Sequence, residues 1–154
     1  MDVIDRLEQT PNRVRALIEG RSEEDLSFKP SPDAFSLREN VLHLRDIDVE
    51  GYEVRITRIL SEHSPSFPDI DGARLARERN YNVQPVAPAL EAFSASRARS
   101  IARLRGASPA DMKRTGELVG VRYVTLELLL EQWAQHDSEH LAEMTHLRAL
   151  RASA

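Results

Sequence analysis

The chain has no cysteine. That excludes disulfides, thiolate metal sites and a cysteine nucleophile. No apolar run approaches the roughly 18–20 residues that cross a bilayer. The first ten residues, MDVIDRLEQT, carry acids where a secretory leader would carry basic and then apolar residues. No Ser-His-Asp order, glycine-rich phosphate loop or nucleotide motif is present, and no internal repeat or low-complexity segment. Strand-like alternation is nearly absent. There is no basic excess either. Lys plus Arg number 21 against 25 Asp plus Glu, giving a net charge of −4, which argues against a nucleic-acid partner. What remains is one cytoplasmic domain over residues 1–154, long enough to bury a core without staples.

Lysine occurs only at Lys29 and Lys113; every other basic residue is arginine. The densest basic run is RARSIARLR, with Arg97, Arg99, Arg103 and Arg105. At about 100° per residue these spread around a helix rather than forming one stripe. They read as a solvated helix surface, with anion binding as the second reading.

Apolar periodicity marks helices. Val3, Ile4, Leu7, Val14, Leu17 and Ile18 share one face over residues 2–20. Thr10-Pro11 interrupts that run and predicts a kink or break, and Gly20 a stop. Residues 21–35 read as loop, with a one-turn helix after Ser22. Ser36-Leu37-Arg38-Glu39 fits a capping box and opens a helix to about residue 62. HSPSFPDID at 63–71 ends it. A short helix through Ala76 is expected within 72–84. A long helix follows over 86–105, with Leu90, Phe93, Ile101 and Leu104 inward and Gly106 at its end. Residues 107–124 are turn-rich, with an extended piece near 119–124, and Thr125 caps a last helix to about 151. Four long helices predict an all-α four-helix bundle.

The last helix carries the chemistry. Its inward seam runs Leu126, Leu130, Trp133, then positions 137 and 140, then Met144 and Leu147. Asp137 and His140 break the apolar pattern, and His136 lies beside them. Burying such groups costs several kcal/mol unless partners satisfy them. His136 and His140, at i and i+4, sit about 40° apart around the axis and about 6 Å along it. One helix can thus offer two imidazoles to one cation. A third ligand must come from elsewhere: His43, His63, His146 or a carboxylate. His63 and His146 read as surface residues. His43 lies at the edge of an apolar arc, with Ile47 and Val54 on one side and Glu39, Asp46 and Glu50 on the other. From the pattern alone it is as well explained by core hydrogen bonding.

The segments LSFKPSPDAFSLRENVLHLRD and VTLELLLEQWAQHDSEHLAEM resemble the DinB-like superfamily. The likeness runs through most of the chain. It includes P-x-P-D and Phe35-Ser36 (where Trp-Ser is frequent), His43-Leu44 with Asp46, and the H-D-x-x-H of His136 and His140. The resemblance implies a four-helix bundle with His43, His136 and His140 as ligands of a divalent metal, nickel or zinc. It further implies a metal-dependent enzyme of the thiol S-transferase or hydrolase type, a low-molecular-weight thiol as co-substrate, a small-molecule substrate and a homodimer. The family name reflects damage-inducible expression, not DNA chemistry. A non-catalytic metal- or ligand-binding stress protein is the alternative, and a bundle whose histidines only make core hydrogen bonds is the third reading.

Neighbouring residues carry two readings each. Asp137 either orients a ligand histidine or pairs with an arginine. Asp46 and Glu50 read as a solvated stripe before a pocket wall, and Trp133 as core before pocket. Arg38, Arg45 and Arg122 are candidates to receive an acidic substrate. Asn80-Tyr81-Asn82 reads as a loop that could shape the entrance.

Overall fold

In a computed structural model the chain is described over residues 1–152. Among the described residues seven α-helices form: α1 (Val3–Ile18), α2 (Glu23–Ser27), α3 (Leu37–Asp46), α4 (Glu53–Ser61), α5 (Gly72–Glu78), α6 (Val86–Arg105) and α7 (Leu126–Ala152). Three short strands are β1 (Ser66–Phe67), β2 (Thr115–Leu118) and β3 (Arg122–Thr125). α1 packs between α6 and α7, and so, on the opposite side, does α3. With α4 continuing α3, this is a four-helix bundle. No helix among the described residues is long and apolar enough to cross a membrane.

The capping box at Ser36 forms in both directions: Ser36 Oγ accepts from the Glu39 backbone and Glu39 Oε1 from the Ser36 backbone. Ser22 caps α2, and Thr125 Oγ1 accepts from the Leu128 backbone at 3.2 Å. The strands form one small sheet in the order β1-β2-β3, β1 parallel and β3 antiparallel to β2. The segment at 119–124 expected to be extended contributes β3, but the sheet itself had no signal. Its strands are too short to show a period of two.

Two helices differ from expectation in their continuity. α1 runs through Pro11 without a break. A proline at position i lacks the N–H that would bind the carbonyl of i−4, here Leu7. That carbonyl instead accepts from Arg97 Nη1 at 2.7 Å. The second long helix is not uniform: between α3 and α4 lies a π turn, Ile47–Tyr52. Glu50 and Val54, which an unbroken helix would align with His43, are exposed, while Asp48, Tyr52 and Ile56 face inward.

The solvated-surface reading of Arg97 is also wrong. Its side chain is 1% exposed. It donates to Asp48 at 2.8 and 3.0 Å and to Asp137 at 2.7 and 3.1 Å. Its guanidinium lies 4.3 Å from the Trp133 ring centroid and 5.0 Å from that of Phe93. Trp133 Nε1 and Thr10 Oγ1 complete the set by donating to Asp48 and Asp137. Arg99 and Arg105, by contrast, are half-exposed and pair with surface acids.

This polar layer divides the core. One apolar cluster contains Val14, Leu44, Phe93 and Leu141; the other contains Leu7, Tyr52, Ile101 and Trp133. Along each long helix, a polar residue lies between members of the two clusters: Thr10, Asp48, Arg97 and Asp137. Removing the arginine would leave two carboxylates buried and unpaired. Arg97→Met is expected to cost about 3–5 kcal/mol in urea unfolding; a loss below ~1 kcal/mol, the range of an exposed pair, would contradict this account.

Candidate metal centre

His43, His136 and His140 meet on the face of this layer between α3 and α7. Each offers a ring nitrogen, and the three atoms lie within 4.8 Å of one another. His43 Nε2 and His136 Nε2 are 3.1 Å apart. Around a cation with metal–nitrogen bonds of about 2.0–2.1 Å, adjacent nitrogens sit about 3.0 Å apart in an octahedron and about 3.3–3.4 Å in a tetrahedron. The separation therefore fits two ligands of one ion.

The third ring is oriented by hydrogen bonding. Asn40 donates its amide to the Ser36 carbonyl at 3.0 Å, which turns its Oδ1 towards His140 Nδ1 at 2.7 Å. His140 must then carry its proton on Nδ1, leaving the Nε2 lone pair free. A polar partner that fixes tautomer and ring orientation is the usual support of a metal-binding histidine. His43 is held sterically instead. A Cβ on Gly72 would stand 2.6 Å from His43 Cε1 and 2.8 Å from Nδ1, so only glycine permits this contact. Phe35 closes another side, its ring 5.3 Å from that of His43 and 6.4 Å from that of His140. The Nδ1 atoms of His43 and His136 are buried with no hydrogen-bond partner.

All three imidazoles are held neutral. Burial is the main cause, and the neighbouring histidines add to it, pushing His43 down to about 3 and His140 to about 4. His136 is lowered too, again by burial first. Neutral, crowded, convergent lone pairs are the donor set that a borderline divalent cation takes.

Comparison with known proteins agrees with this architecture. The DinB superfamily matches residues 6–144. The chain belongs to the DinB superfamily. Among curated proteins no match is found. Among solved structures the fold is similar to that of YfiT from Bacillus subtilis, with a TM-score of 0.90 and 21% identity over 97% of this chain and 86% of that one. YfiT is described as a probable metal-dependent hydrolase with an unusual four-helix bundle topology. At that identity the likeness is one of fold.

In this DinB bundle the other sequence candidates fall elsewhere. His63 and His146 are exposed. Asp137 pairs with Arg97 and Thr10 and makes no hydrogen bond to a histidine. Asp46 is not solvated: it is buried and accepts from Arg45, Arg79 and Tyr81. Glu50 is exposed and held by the same Arg79. Trp133 is fully buried, stacked on Tyr52 at 4.7 Å. Arg38 and Arg45 are engaged with Glu23 and Asp46, and Arg122 is exposed on β3; none touches the three rings. Asn80-Tyr81-Asn82 does not shape an entrance. Tyr81 is buried and Asn82 bonds Ser27 and Ser36, clasping the start of α3. Asn40, Gly72 and Tyr52 had no sequence signal, because each acts through a contact distant in the chain.

Two tests follow from this packing. Gly72→Ala must displace the His43 ring, and an overpacking cost of about 1–3 kcal/mol is expected in urea unfolding; an unchanged midpoint would contradict the contact. The second concerns pH. An unfolded chain protonates these histidines near pH 6.5, whereas folded His140 and His43 resist to about 4 and 3. Their contribution to stability is complete above pH 6.5 and drains away as pH falls towards 3. In chelator-treated protein, His43→Leu should flatten the fall in urea midpoint between pH 7 and pH 4.5; equal slopes would refute the shift.

Proposed function

We propose that the chain is a divalent-metal-binding DinB protein with His43, His136 and His140 as ligands, and a metal-dependent enzyme of the thiol S-transferase or hydrolase type. The observation that carries this reading is the convergence of three neutral imidazoles from two helices. Nickel and zinc suit such a set. When bound, the ion supplies Lewis acidity, which makes water or a thiol a nucleophile near neutral pH.

The chain's own residues do the rest. Asn40 keeps the His140 proton on Nδ1, away from the site. Gly72 lets the α5 backbone close against His43 and fix its ring. Phe35 and Tyr52 flank the histidines with apolar surface; Tyr52 lies 6.3 Å from the His136 ring. Hydrolysis is supported by the description of YfiT. Thiol transfer rests on the family resemblance, and the absence of cysteine is consistent with sulfur arriving on a co-substrate. A small-molecule substrate, a cytoplasmic bacterial setting and a homodimer belong to the same proposal. A non-catalytic metal-binding stress protein would hold the ion equally well and differ only in turning nothing over.

Elemental analysis of untagged protein tests the site. About one divalent ion per chain is expected in the wild type, falling to background in both His43→Ala and His140→Ala. Metal at background in the wild type, or unchanged in both variants, would sink the assignment and favour histidines that only hydrogen-bond.

A further inference from the structure

One arginine, reached from the histidines through Tyr52, lacks the carboxylate partner that most others have. Arg55, on the first turn of α4, is partly buried. Among the described residues no carboxylate lies within 4 Å of it, and its one hydrogen bond is a long one, 3.5 Å, to the Pro68 carbonyl. Asp69, exposed, acts on it only at longer range. Its guanidinium stands over the Tyr52 ring, 5.6 Å from the centroid. Because Tyr52 is 6.3 Å from the His136 ring, Arg55 Cζ lies within about 12 Å of that ring. The two are joined by one short wall of chain. Pro68 contacts Arg55, Ile70 reaches to within 3.2 Å of where a Gly51 Cβ would be, and Gly72 packs on His43.

We infer that Arg55 is the anion-binding group of this site and that the substrate or co-substrate carries a carboxylate, which Arg55 holds while its reacting end lies at the histidines. The inference rests on the metal-site reading above. A guanidinium offers paired donors matched to a carboxylate, and partial desolvation strengthens that bond. Burial pulls the Arg55 pKa down, with Tyr52 and Asp69 opposing it. With Asp69 near, a singly charged group suits the position better than a doubly charged phosphate. The Tyr52 ring, fixed by stacking on Trp133, keeps the guanidinium in place.

Calorimetry on the metal-loaded full chain tests this with two probes, 6-mercaptohexanoate and its neutral counterpart 6-mercaptohexanol. The extended acid spans about 8 Å from sulfur to carboxyl carbon, enough to bridge the histidines and Arg55 once hydrogen-bond lengths are added. The acid should bind at least ~10-fold more tightly than the alcohol, a difference of about 1.4 kcal/mol. Arg55→Gln should bring the ratio close to one, and Arg55→Lys, which keeps charge but not paired donors, should retain part of it. Should the glutamine variant not fold, the lysine variant carries the comparison. Equal affinities in the wild type, or a ratio untouched by both variants, would overturn the inference and leave the metal site standing. Protein that holds no metal overturns both, and metal-loaded protein that binds neither thiol overturns the carboxylate assignment alone.

Discussion

Arg97 carries a full positive charge where water does not reach, and three other stretches of chain are arranged to answer it. Asp48 comes from the π turn, Asp137 from α7 and the Leu7 carbonyl from α1, with the arginine itself on α6. Burial works against the charge, but the two carboxylates hold the Arg97 pKa high, while burial pushes Asp48 up to about 6. An ion set of this kind contributes little net stability against a well-packed apolar core. Its effect is on arrangement: a sliding or rotation of any one helix would strand a charge. Pro11 belongs to the same design. A proline inside a helix normally leaves a carbonyl without its partner, and here that carbonyl is one of the arginine's acceptors.

The histidine cluster inherits its precision from this layer. His136 precedes Asp137 directly, so fixing the carboxylate against Arg97 fixes the rotation of α7 that turns His136 and His140 towards α3. Tyr52 is tied in through Trp133, which donates to Asp48. Two kinds of polar group therefore occupy one cross-section of the bundle. The charged kind is closed and saturated. The neutral kind turns three ring nitrogens towards one point and leaves the Nδ1 atoms of His43 and His136 without a partner, and that difference separates a girder from a binding site.

Legibility in the sequence followed the range of the contacts involved. Helix starts at Ser22, Ser36 and Thr125 were readable because caps are local. The amphipathic faces of α1 and α6 were readable because burial repeats with the helical period. His136 and His140 stood out as polar positions on an apolar seam. His43 did not: the pattern left it ambiguous, and only the family resemblance singled it out. The π turn was invisible, since Ile47–Tyr52 reads as good helix on either count. Arg97 was misread because its neighbours Arg99 and Arg105 do face solvent, and nothing local marks which arginine of a run turns inward. The absence of a break at Pro11 has a related reason: the Leu7 carbonyl it leaves free finds a donor 90 residues further along the chain.

The π turn makes the length of this helix matter. It accommodates an additional residue within the backbone, and an α-helix turns about 100° per residue. An unbulged backbone over the same residues would turn everything beyond it by roughly that angle relative to His43, carrying Tyr52 off the face that meets the His136 ring, whereas excising one position between 47 and 52 would close the bulge and leave that face unchanged. A relative without the bulge would thus present the same inward face with one residue fewer between its first histidine and the residues that follow.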